Sequence, residues 1–441
     1  MRPSVFDFIA PRDIEIASGR AFRIRRNYYA PKLLASIERF APELTAELNR
    51  SNVLEMLRDT PGSRAWLNAC GKVVATLDKE AHPIEVIAHL TLDQSRKERL
   101  YELLCLQLIG ILAGHAARWG ETLEIKIRAK LPDRLYIDGL GMLQIDEPLT
   151  DIDTSVMTVS NGRIAFDAVG GHLEVVPQTG LVTGHGAFVS AGTVALGHAK
   201  SLELPYLNPS LFRPEFQPFP QLGGERANRE WARSVSAAVT CVTHSGLPSV
   251  EYIVSLCKSV IGLVSPSDSI GSASREEAMG LVYLPVTPSL LDLSECLLHE
   301  GLHQMLFRIE ESVAIFEPES DKSSTFYSPW RDDGRPLRMV LHGAYVFAGV
   351  ASMHKALALH PVDHFSVQGD PTTAYRRVRE SLHAIETVKR HAQLTRIGRK
   401  LVEAIEADLE HSGDLPITLP ERARIDAGII EKRNAFSAYI D

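Results

Sequence analysis

Cysteine is scarce and scattered in this chain: five thiols, Cys70, Cys105, Cys241, Cys257 and Cys296, and no CxxC pair. That pattern offers neither a disulfide framework nor a thiolate zinc cluster, and an odd count on a long chain reads as reduced thiols. Long apolar runs are missing too. No stretch approaches the roughly 18 uninterrupted apolar residues of a membrane-spanning helix. The opening MRPSVFDFIAPRDIEIASGR lacks the apolar centre of a secretory signal. The expectation is a cytoplasmic protein. Nor is there a basic surplus: the formal net charge of −8 argues against a nucleic-acid partner. Internal repeats and low-complexity tracts are absent. The glycine-rich TGLVTGHGAFVSAGTVALGHA lacks the Gly-Lys-Ser/Thr ending of a phosphate loop, so it reads as tight turns between strands.

What is present suits a globular protein of two or three domains: 441 residues, 45% hydrophobic and 23% charged. Residues 1–122 read as a helical region, with KLLASIERFAPELTAELNR and QSRKERLYELLCLQLIGILAGHAARWG carrying apolar residues three and four apart. Residues 123–221 read as short β-rich runs between Gly, Asp and Asn turns, closed by a proline-rich connection, LPYLNPSLFRPEFQPFPQ. Residues 222–441 read as helical again, with helices expected over Glu225 to Val264, after Pro336, and through the charged C-terminal part. The fold class expected is α+β, mostly helical, with a β-rich middle segment.

One stretch carries chemistry by spacing alone. LLHEGLHQML contains His-Glu-x-x-His as His299, Glu300 and His303. Residues four apart on a helix are offset by only about 40°, so both imidazoles leave one face and can grip a single divalent ion. Glu300 stands one step round, near a metal-bound water or ligand. Ser289 or Asp292 suits the N-cap, and Gly301, costing roughly 1 kcal/mol in a helix, implies close packing there. The preceding GLVYLP reads as a short buried strand, which makes the arrangement zincin-like: a motif helix beside a strand.

A catalytic site needs a further protein ligand. The one-helix extension HExxHxxGxxH fails, because Leu306 and Ile309 hold its last two positions. Glu310, Glu311, Glu317 and Glu319 are available carboxylates, the first two on the motif helix and the others in a polar loop. His342 lies 39 residues beyond His303 in an apolar helix, and spacing favours it. Arg335 and Arg338 precede it on the same helical face, within about 40°. The bland reading is a core histidine with arginines at a helix end. The sharper one is a metal ligand beside a guanidinium whose planar fork binds a carboxylate. His354, His360 and His364 read as surface or helix-end residues, and His185, His198 and His244 have no partner at ligand spacing.

GLVYLP, LLHEGLHQML and YSPWRDDGRPLRMVLHGAYVFAGVASMHKAL, spanning Gly280 to Leu357, resemble the HExxH-motif 2-oxoglutarate-dependent peptide β-hydroxylases of ribosomal peptide biosynthesis. The resemblance implies that His299, His303 and His342 hold a non-haem Fe(II), with Glu300 the alternative to His342. It implies that Arg335, then Arg338, then Arg331 binds the carboxylate of the cosubstrate 2-oxoglutarate. Arg338 departs from the smaller residue the family pattern favours. O2 and a precursor peptide would be the other substrates, with neither nucleic acid nor membrane involved and a homodimer left open. The competing expectation is a zinc metallopeptidase with Glu300 as general base. A non-enzymatic peptide scaffold is disfavoured by the intact motif.

Overall fold

The computed structural model describes residues 10–37, 48, 53–68, 94–127, 131, 134–138, 140–146, 155–169, 171–177, 181–184, 186–190, 192–195, 201–204, 225–263, 271–287, 289–318, 324–362, 365–411 and 415–440. The architecture is mixed α+β and mostly helical. Most of the proline-rich connection, and His185, His198 and His364, lie outside the described residues. Among those residues, no helix is long and apolar enough to cross a membrane.

Helix α1 (Pro11–Ile37), a short helix over 61–68 and α2 (Gln94–Trp119) come first. Ten short strands follow: β1 (Leu123–Ile127), β2 (Arg134–Ile137), β3 (Gly141–Ile145), β4 (Ser155–Ser160), β5 (Arg163–Ala168), β6 (Gly171–Val176), β7 (Leu181–Gly184), β8 (Gly186–Ser190), β9 (Gly192–Ala195) and β10 (Ser201–Leu204). In β1 and β4 every second side chain is buried, the mark of a strand with one wet face. β4 and β5 close through Asn161 and Gly162, both at positive φ, the two-residue turn that matches strand twist. An antiparallel sheet in the order β1-β4-β5-β6-β7 lies beside a smaller one, β2-β3-β8. Leu108 and Leu112 of α2 meet Ile125, Met157, Phe166 and Leu173 of the larger sheet, with Trp66 and Phe22, in one apolar core. The helical N-terminal region and the β-rich middle thus share a core across residue 122.

The rest is α3 (Glu225–His244), α4 (Val250–Leu256), β11 (Ser259–Leu263), β12 (Ala273–Ser274), β13 (Leu281–Pro285), α5 (Leu290–Ser312), α6 (Leu337–Leu359), α7 (Pro371–His391), α8 (Arg396–His411) and α9 (Leu419–Ile440). The helix expected through Val264 ends at Leu256, and Ser259–Leu263 is a strand instead. The run SVIGL is short and apolar, and parallel pairing with β13 decides its state, a tertiary choice that periodicity does not encode. The sheet order is β12-β13-β11-β10-β9, so β9 and β10 join the sheet of the motif region. The C-terminal charged segment forms α7 and α8, and α9 follows.

A buried polar knot fixes α2 to the β-rich part. Asp138 accepts from Thr60 Oγ1 at 2.6 Å and from His115 Nε2 at 3.0 Å, while the Arg58 N–H donates to His115 Nδ1 at 3.1 Å. Burial favours the neutral acid, but the His115 and Thr60 hydrogen bonds win and hold the carboxyl below its ordinary 3.8. A depressed folded-state value stabilises the fold above 3.8, and that contribution fades as pH falls through the lower folded value. Urea midpoints measured from pH 5 to pH 2 should therefore drop, and Asp138→Asn should flatten that part of the decline.

Candidate functional site

The motif helix α5 is placed by three contacts. Ser289 caps it, accepting from the Asp292 N–H. A Cβ at Gly301 would meet Ile253 Cγ2 at 2.9 Å, so the glycine lets α4 approach. Gln304, fully buried, accepts from the Gly280 N–H at 2.7 Å and donates to the Leu281 carbonyl at 3.1 Å, clamping the start of β13 to the helix.

Helices α5 and α6 share a polar seam. His303 Nδ1 and His342 Nδ1 stand 3.2 Å apart, and His342 Nε2 is 3.0 Å from Glu310 Oε2. Arg338 grips the same carboxylate, Nε to Oε2 at 3.0 Å and Nη2 to Oε2 at 2.6 Å, and reaches Glu276 at 2.8 Å. Burial would raise the Glu310 pKa, but His342 and Arg338 overcome it and bring it to about 2. Glu310 is therefore an anion able to accept from His342 Nε2, and His342 Nδ1 lies within hydrogen-bond reach of His303 Nδ1. Burial, with the neighbouring imidazoles of His299 and His342 acting in the same direction, holds His303 well below 6.5, so it is neutral.

His299 lies edge-on to His303 at 4.9 Å and to Phe347 at 5.0 Å between ring centroids. Burial drives it down to about 4 against the pull of Glu295, with Arg377 and Arg331 pushing the same way as burial. Arg377, on α7, lies 4.3 Å over the Phe347 ring, which stacks on Trp330 at 4.8 Å. Glu380 accepts from both Trp330 Nε1 and Arg377 Nη1 and closes this wall. Glu300 is buried and faces β12: Ser272 donates to its Oε1 at 2.6 Å, and Oε2 closes no hydrogen bond. Burial pushes its pKa up to about 7 against the hydroxyls of Ser272 and Ser274.

His303 and His342 are thus brought together, with His299 beside them. The arginines are sorted differently from the order the resemblance implies. Arg338 is committed to Glu310 and Glu276. Arg335 precedes α6, because its backbone pairs with Phe326, and it leans on Asp333 at 3.4 Å. Arg331 is exposed, and its charge reaches His299. His354 is buried, not superficial: its Nε2 meets Glu295 at 3.0 Å and its Nδ1 accepts from the Asp370 N–H.

Sequence reasoning set Glu310 aside as part of the motif helix, yet it stands seven residues after His303, within about 20° of the same face. Arg377 had no such signal. It sits in a charged amphipathic helix where any arginine looks solvated.

The 3.2 Å between His303 Nδ1 and His342 Nδ1 suits an N–H···N hydrogen bond and equally two nitrogens on one ion at about 2.1 Å, which stand roughly 3.0–3.4 Å apart. The carboxylate behind His342 is the usual partner of a ligating imidazole. Among the described residues, no group of three His, Cys, Asp or Glu side chains closes as a full coordination set.

Gly343, next to His342, has the Trp330 ring where a Cβ would be, 2.6 Å from Cε3. Gly343→Ala should displace Trp330 and cost about 1–3 kcal/mol. Urea unfolding followed by tryptophan emission measures both.

No known family matches the chain, and no characterised protein is significantly similar to it in sequence.

Proposed function

We propose that the chain is an Fe(II)- and 2-oxoglutarate-dependent hydroxylase acting on a side-chain β-carbon of a ribosomally made peptide. Its framework would be zincin-like, with α5 laid against β13. The observation that carries the reading is the His303–His342 pair at ligand spacing with the anionic Glu310 behind it. His303, His342 and His299 would hold the ion, and the bound iron with 2-oxoglutarate and O2 supplies the oxidising chemistry. Glu310 keeps the proton on His342 Nε2 and so keeps Nδ1 basic. The charges of Arg331 and Arg377 at His299 favour a carboxylate there. Phe347 and Trp330 shield that side from water. The peptide substrate and the β-carbon come from the resemblance over Gly280 to Leu357.

Glu300 favours a second reading. A carboxyl near pKa 7 with a free buried oxygen is the kind of group a zinc peptidase uses as general base. The arginines have no work in that reaction. The test is to give the Fe(II) protein 2-oxoglutarate, O2 and a peptide encoded beside its gene. A gain of one oxygen with stoichiometric succinate supports the hydroxylase. Cleavage by the zinc form without 2-oxoglutarate overturns it.

A further inference from the structure

Helix α1 is strongly basic in an acidic protein: six Arg or Lys against two Asp or Glu, in a chain of net charge −8. Its inner face is anchored by buried Ile14, Ser18 and Phe22. Its outer face, from Arg12 to Tyr28, holds Ile16, Ile24 and Tyr28, each more than half exposed, among exposed Arg12, Arg20 and Arg23, with exposed Asp13 the one acid on it. These positions fall within an arc of about 160°. Those three arginines make no ion pair among the described residues. Arg26, outside this arc, reaches the Glu55 and Leu57 carbonyls, and the adjoining Arg58, ion-paired with Glu121, lies 5.8 Å from the ring of exposed Trp119. Arg118 lies 5.3 Å from the same ring. Tyr28 and the arginines of α1 are of the residue types on which interfaces concentrate binding energy.

We propose that this face docks an acidic amphipathic segment of another polypeptide, its apolar side chains on Ile16, Ile24 and Tyr28 and its carboxylates on Arg12, Arg20 and Arg23. Opposite charge selects such a partner and speeds its encounter. A second copy meeting the face about a two-fold axis would bring two surfaces of the same basic sign together. A membrane surface wants the apolar side chains segregated from the basic ones, whereas here Arg20 sits between Ile16 and Ile24. The inference stands apart from the chemistry of the histidine seam.

The test uses the full chain and two fluorescein-labelled amphipathic helical peptides, one built of Glu and Leu, the other of Lys and Leu. Anisotropy should show saturable binding of the acidic peptide alone, weakening at least tenfold between 50 and 300 mM salt. Arg20→Glu with Arg23→Glu, and separately Ile24→Ser, should each weaken it about tenfold while circular dichroism and the melting temperature stay unchanged. Equal binding of both peptides, or variants that bind like the parent, overturns the proposal. So does self-association of the parent that the same variants abolish, or binding to phosphatidylserine vesicles without binding to the acidic peptide.

Discussion

Replacing His342 with alanine should weaken Fe(II) binding by at least about a hundredfold and reduce turnover in proportion. Removing a group that merely supports a ligating histidine costs 10–100-fold, and the proposed function makes His342 itself a ligand. Glu310→Gln gives the graded control. It keeps the shape but loses the charge that fixes the His342 proton on Nε2, so its loss should lie within that 10–100-fold range. Anaerobic equilibrium dialysis with Fe(II) measures both. If His342→Ala binds iron as tightly as the parent protein, the seam is structural.

Glu311→Ala should be the most destabilising single change outside the apolar core. Glu311 accepts from Arg64 Nη1 at 3.1 Å and from Ser18 Oγ at 2.7 Å, and its side chain is 3% exposed. Arg64 also binds Asp59, and Arg308 donates to the same Ser18 hydroxyl at 3.0 Å. Without Glu311, two buried guanidinium groups remain with Asp59 as their nearest counter-charge. Removing one member of a buried ion pair costs about 3–5 kcal/mol because its partner is stranded. Arg163–Glu174, with an arginine side chain 56% exposed, should contribute no more than about 1 kcal/mol. Urea denaturation of Glu311→Ala and Glu174→Ala compares them. Equal, small losses would mean the network is hydrated and weak. Because the network ties α1 and Arg64 to the end of α5, its loss should also loosen the motif helix.

The motif helix was legible because several local signals agree over a single stretch: the Ser289 cap, the apolar spacing, and a glycine with a neighbour to admit. The GLVYLP strand was legible because it is wholly apolar and ends in proline. β11 was not, since its five apolar residues suit a helix equally and only β13 decides. The His303–His342 meeting was legible in their 39-residue separation, which leaves room for a loop and a return helix. Arg335 was misplaced on a helical face because proline at 336 fixes where α6 can begin without saying what precedes it. The pairing of Phe326 with Arg335 is a contact between distant backbone groups that no local pattern announces. His354 was misread for a similar reason, since Glu295 and the Asp370 N–H lie far from it in sequence. The Thr60–His115–Asp138 knot combines three segments, none of which carries a motif.

In the proposed function a divalent metal held by His303 and His342 makes a binding place for 2-oxoglutarate. Anaerobic calorimetry of 2-oxoglutarate into the protein, with and without one equivalent of Fe(II), measures this. One site per chain should appear only with the metal and be lost in His303→Ala. Binding of 2-oxoglutarate that is absent with Fe(II), or unchanged by removing the metal or His303, would contradict it.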